Sequence, residues 1–151
     1  MTTTMSEIES LSLKINQEIR VRASIEATFA ALLEELGPSN RLMDETPLAM
    51  KLEAWPGGRW YRDLGNDNGH CWGTVQAIKR PALLEISGPL FMSYPVANNL
   101  QYRLSQEGDE TVIKFCHSGF GLISDDHRKG VVGGWSTIHE RARNRAEKAT
   151  R

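Results

Sequence analysis

Cysteine is scarce in this chain: Cys71 and Cys116 are the 2 thiols among 151 residues. Two cysteines cannot form the disulfide framework of a small secreted scaffold, and they fit a reducing cytoplasm. An excess of one charge is also absent. The 18 Lys and Arg stand against 19 Asp and Glu, for a formal net charge of -1 at pH 7. No global field therefore draws the protein toward nucleic acid or acidic membranes. No apolar run approaches the ~20 residues of a membrane-spanning helix. The start, MTTTMSEIES, lacks both a basic n-region and an apolar h-region, so a signal peptide is not expected. No internal repeat, nucleophile elbow or pair of catalytic carboxylates stands out. What is present is an ordinary globular composition, 40% hydrophobic and 25% charged, at a length suited to one domain with one core.

Residues 1–11 are small, polar and acidic and read as a disordered N-terminal tail, leaving 12–151 as the single domain. From Leu13 to Val21 apolar and polar residues alternate, the pattern of a half-buried strand. Ser24 is placed to cap a helix over IEATFAALLEEL, which Gly37-Pro38 ends. Strand signals then follow at Leu48–Ala54, Arg59–Leu64, His70–Arg80, Ala82–Ser87, Asn98–Ser105 and Glu110–Phe120, each bounded by turn residues. Helical spacing returns from Ser124 to about Ala149 through Val131, Trp135, Ile138, Ala142, Ala146 and Ala149. Asp125 and Asp126 sit where the positive end of its dipole favours carboxylates. Strand, helix, six strands and a long helix make an α+β layer solution in which the last helix covers the apolar face of one antiparallel sheet.

The stretch KLEAWPGGRWYRD, residues 51–63, decides between a phosphate loop and a turn. A phosphate loop needs glycines that lead from a strand into a helix N-terminus. Here Gly57-Gly58 lead into RWYRD, which reads as strand, so a hairpin turn is expected. Trp60 and Arg59 then point to opposite faces.

PGGRW between two strands, GTVQAIKRPALLEIS, TVIKFCHSGFG on the last strand and Gly134-Trp135 on the last helix occur here in that order. Together they resemble the family named for the activator of heat shock protein 90 ATPase, within the START and pollen-allergen helix-grip (SRPBCC) superfamily. The resemblance runs from about Leu13 to Ile138. It implies a seven-stranded curved antiparallel sheet wrapped around a long C-terminal helix, with an apolar cavity between them. It also implies a small hydrophobic or aromatic ligand without a cofactor. Relatives with other work are a chaperone-interacting module of the stress response and polyketide cyclase or dehydratase-type enzymes. A chaperone or a second copy of the chain is therefore a further possible partner; nucleic acid and membrane are not expected. The family continues its last helix with leucines, whereas this chain has Ala142, Ala146 and Ala149 flanked by Arg141 and Arg145. Either the cavity extends there or the helix end projects beyond the sheet. Projection is favoured, since arginine is seldom buried unpaired.

Alternation on the strands and helical spacing on the last helix give an inner wall of Met50, Leu52, Trp60, Val75, Leu100, Tyr102, Ile113, Phe115, Val131 and Trp135. His117 shares the parity of Ile113 and Phe115 and could orient a ligand, although a histidine satisfied within the core explains it as well. Tyr102 brings a hydroxyl that could meet a ligand or a core partner. The pairs His70-Cys71 and Cys116-His117 do not make a metal site, because neighbours on a strand point to opposite faces. Gly130, Gly133 and Gly134 each cost about 1 kcal/mol inside a helix relative to alanine, which suggests close approach to the sheet or a helix start beside a cavity mouth. The cations of residues 141–151 suit a helix C-terminus and come with no groove-reading motif. No catalytic residue is assigned.

Overall fold

The computed structural model describes residues 4–92 and 94–149. The alternation that begins at Leu13 becomes strand β1 (Ser12–Val21), and Ser24 caps α2 (Ile25–Leu36) by accepting from the Ala27 N–H at 3.1 Å. Residues inside the stretch expected to be a tail form a short helix, α1 (Met5–Ser10), closed by a capping box between Thr4 and Glu7 and burying none of its side chains. Six more strands follow: β2 (Met50–Leu52), β3 (Arg59–Gly65), β4 (Asn68–Lys79), β5 (Leu83–Gly88), β6 (Val96–Glu107) and β7 (Glu110–Gly121). The last element is α3 (Asp125–Ala149).

The seven strands form one antiparallel sheet in the order β1-β7-β6-β5-β4-β3-β2. Consecutive strands pair through hairpins, and only β1 crosses over, to pair with β7 from Ser12 opposite Phe120 to Val21 opposite Thr111. This is the helix-grip arrangement. The inward side chains of the sheet and the buried face of α3 make one core that includes Trp60, Val75, Leu100, Tyr102, Ile113, Phe115 and Trp135.

The residue 51–63 stretch is a turn. Gly57 takes φ +82, and a Cβ on Gly58 would fall 1.9 Å from the Glu53 carbonyl oxygen, so both positions require glycine. Trp60 is fully buried and donates its indole N–H to the Leu36 carbonyl at 2.7 Å, which satisfies an end group of α2. Arg59 faces the other way and pairs with Glu53 at 2.7 and 3.0 Å.

As far as Ala146 the end of α3 does not project, although Ala149, the last residue of the expected stripe, is exposed. The helix packs against α2, and Ala142 and Ala146 are fully buried. Alanine is the residue the site needs, because small side chains let two helix backbones come close. The arginines beside the stripe are paired: Arg145 reaches Glu35 of α2 at 3.0 Å, and Arg141 donates to the carbonyls of Arg41 and Leu42 at 2.9 and 3.0 Å. Burial of arginine was the reason for expecting projection, and these partners remove it.

Candidate functional site

Beyond the packed centre, the first half of α3 stands over a cleft of about 460 Å³, within the range of small-molecule pockets. Gly130, Val131, Gly134, Trp135 and Ile138 of α3 form one wall. Arg62 of β3 and His70 and Trp72 of β4 form the floor, and Phe91 closes one side. The connection between α2 and β2 supplies Asn40, Arg41, Leu42, Met43 and Leu48 as the far rim.

The glycines of α3 face open space. A Cβ built on Gly130, Gly133 or Gly134 meets no heavy atom within 4 Å. Close approach to the sheet, one of the two readings expected from the sequence, therefore does not explain them. Gly130 and Gly134, one turn apart on the cleft wall, leave room where any side chain would intrude.

The aromatic lining is fixed by packing. Trp72 lies edge-on to Trp60 with centroids 5.1 Å apart and to Phe91 at 5.9 Å, and Phe91 meets His127 edge-on at 5.6 Å. Tyr94 stacks on the His127 ring and hydrogen-bonds its Nδ1. The rim is tied down from two sides. Arg141 holds the carbonyls of residues 41 and 42, and the buried Glu35 accepts from Arg41 at 2.9 Å.

Behind the cleft wall lie two buried histidines. Trp135 Nε1–H donates to His117 Nδ1 at 3.0 Å, so His117 carries its proton on Nε2 and gives it to Asn98 Oδ1 at 2.7 Å. His139 Nδ1 lies 2.7 Å from Gln17 Oε1, which can only accept, so its Nε2 accepts from the Tyr102 hydroxyl at 2.9 Å. Both imidazoles are neutral. Burial lowers each to about 4, and burial likewise raises the Tyr102 phenol well above its ordinary value.

All ten residues expected at the ligand site lie on the core side of the sheet or on the buried face of α3. Met50, Trp60, Val75, Tyr102, Ile113, Phe115, His117, Val131 and Trp135 are buried, and Leu52 is half-buried against them. The cleft gathers only Val131 and Trp135 of the ten. The other eight fill the interior, and His117 stands behind Trp135 with both ring nitrogens occupied.

Sequence reasoning placed Gly130 and Gly134 beside a cavity mouth as one of two readings, but it missed Arg62, His70, Trp72 and Phe91 as lining residues and His139 as a core residue. His139 follows Trp135 by one helical turn, a spacing that could have found it. Trp72 escapes strict alternation because the β3–β4 pairing steps from Gly73 opposite Trp60 to Cys71 opposite Tyr61. That bulge turns Trp72 inward together with Val75.

No protein-family model matches the sequence, and no curated protein is similar enough to count as a relative. Solved structures do match. MLL2253 from Mesorhizobium loti superposes with a TM-score of 0.68 at 17% identity, covering 90% of this chain and 98% of its own. The Aha1 dimer from Colwellia psychrerythraea gives 0.66 at 16% identity over 89% of this chain and 96% of that one. CalU16 from Micromonospora echinospora gives 0.58 at 23% identity over 87% and 71%. These likenesses establish the fold, a helix-grip arrangement of a seven-stranded antiparallel sheet and a long C-terminal helix.

Proposed function

We propose that this protein binds a small hydrophobic or aromatic molecule in the cleft under the first half of α3, with residues 12–151 as one ligand-binding domain in the cytoplasm. The observation that carries the reading is the pair Gly130 and Gly134. Each weakens the helix by about 1 kcal/mol relative to alanine, yet neither is needed for packing. A helix that keeps such residues over a cleft lined by Trp72, Phe91 and Trp135 is shaped around a guest. Fixed aromatic walls lower the ordering cost of binding.

Catalysis through His117 is disfavoured, because the imidazole is sealed behind Trp135 and both nitrogens are engaged. The chaperone-interaction reading has only the shared fold in its favour, and fold does not carry function. Among the described residues, no helix is long and apolar enough to cross a membrane.

Thermal unfolding in the presence of a library of aromatic and aliphatic compounds tests the proposal. Binding compounds raise the midpoint by mass action, and Gly134→Leu, which places a side chain in the cleft, abolishes that rise. The control is Gly133→Leu, exposed and outside the cleft, and it keeps the rise. A rise equal in both variants would place the ligand elsewhere, and no rise with any compound would remove the proposal.

A further inference from the structure

Among the described residues, the cleft contains one cation with no ion-pair partner. Arg62 sits opposite Met50 of β2 and His70 of β4, and its side chain lines the floor. Its Nε is buried and makes no hydrogen bond, and among the described residues no carboxylate pairs with its guanidinium. The other arginines of the cleft are engaged: Arg41 with Glu35 and Glu45, and Arg141 with Glu45 and two backbone carbonyls. A half-buried guanidinium with an unsatisfied, desolvated N–H is costly unless an acceptor arrives.

The chemistry of the floor selects that acceptor. Guanidinium presents a planar fork that matches a carboxylate through two parallel hydrogen bonds. A single free cation matches a single negative charge. A phosphate dianion would meet Asp126, the one carboxylate among the described lining residues, with its second charge unmatched. The same lining carries the apolar surface of Trp72, Phe91 and Trp135.

From this geometry we infer that the ligand is an amphipathic monocarboxylic acid, its carboxylate on Arg62 and its apolar body against Trp72, Phe91 and Trp135. The inference rests on the binding function proposed above and narrows its ligand class.

The test uses two matched pairs of probes: 2-naphthoate with its methyl ester, and laurate with its methyl ester. Affinities are measured by calorimetry on the full chain, for wild type, Arg62→Met and Arg59→Met. Arg59 is the control, an exposed arginine on the opposite face of the same strand. Wild type and Arg59→Met bind at least one acid about tenfold or more tightly than its ester, the scale of a charge-assisted hydrogen bond. Arg62→Met lowers acid affinity to that of the ester and leaves ester affinity unchanged. Arg62→Gln gives the same collapse and serves if the methionine variant does not fold. Esters that bind wild type as tightly as the acids, or an acid preference that survives at Arg62→Met, would overturn the carboxylate assignment while leaving the cleft a binding site. No binding by any of the four probes to folded wild type would count against both.

Discussion

Trp135 donates its indole N–H to His117 Nδ1 at 3.0 Å, and through that bond the wall of the cleft is fastened to the sheet. The same ring stacks on His139 at an interplanar angle of 11° and tilts against Phe115 with centroids 5.0 Å apart. One side chain therefore joins the cleft, the core and both buried histidines. Trp135→Phe keeps most of the apolar contact but leaves the buried Nδ1 acceptor without a donor. The expected loss is about 1–3 kcal/mol, read from urea unfolding midpoints. No measurable loss would mean that the bond does not form in solution.

The two buried histidines make stability depend on pH. Unfolded histidine takes up a proton below about 6.5, whereas His117 and His139 in the folded chain do so only near 4. Between those values the unfolded state holds more protons, so stability falls as pH drops from about 6.5 to 4, and this contribution is constant above about 7. The two sites together amount to on the order of a few kcal/mol. Urea unfolding at a series of pH values should show this decline, and His139→Gln should flatten it in part. Unchanged stability across that window would contradict the neutral, buried assignment.

Glu35 fastens three elements. Its carboxylate is buried on α2 and accepts from Arg145 of α3 at 3.0 Å and from Arg41 of the cleft rim at 2.9 Å. Glu35→Ala takes this buried acceptor from both arginines, although Arg41 keeps Glu45 and Arg145 keeps the Ser39 hydroxyl, and should cost about 1–3 kcal/mol, the scale of lost charge-assisted hydrogen bonds. The rim should loosen with it, giving faster amide exchange at residues 41–48. Loss of stability without faster exchange at the rim would separate Glu35 from the cleft.

Gly130→Ala and Gly134→Ala should each stabilise the protein by about 0.5–1 kcal/mol, because α3 gains helix propensity and the added methyl meets empty space. Each should also weaken binding of a cleft ligand. Destabilisation by either change would show that the space is not open in solution.

Local rules found most of the fold. Ser24 and Gly37 bound α2 at the residues that the cap and stop signals indicate, and alternation on β6 and β7 turned Leu100, Tyr102, Ile113, Phe115 and His117 inward as expected. The site was harder to read for three physical reasons. Arg62, His70 and Phe91 come to one cleft only through the pairing and curvature of the sheet, and no local period marks that convergence. A bulge reverses the parity at Trp72. Alanine, finally, reads as a weak apolar stripe, whereas the contact of α2 with α3 makes it the fitting residue at 142 and 146.

A cleft open to a guest underlies every binding prediction above, and the indole N–H signals of the four tryptophans report on it directly. Trp72 and Trp135 line the cleft, Trp60 is buried and bonded to Leu36, and Trp55 is exposed and is not among the lining residues. Titration with 2-naphthoate, followed by proton–nitrogen correlation spectra, should move the Trp72 and Trp135 signals and leave Trp55 in place. Still signals at Trp72 and Trp135, or shifts concentrated at Trp55, would contradict it.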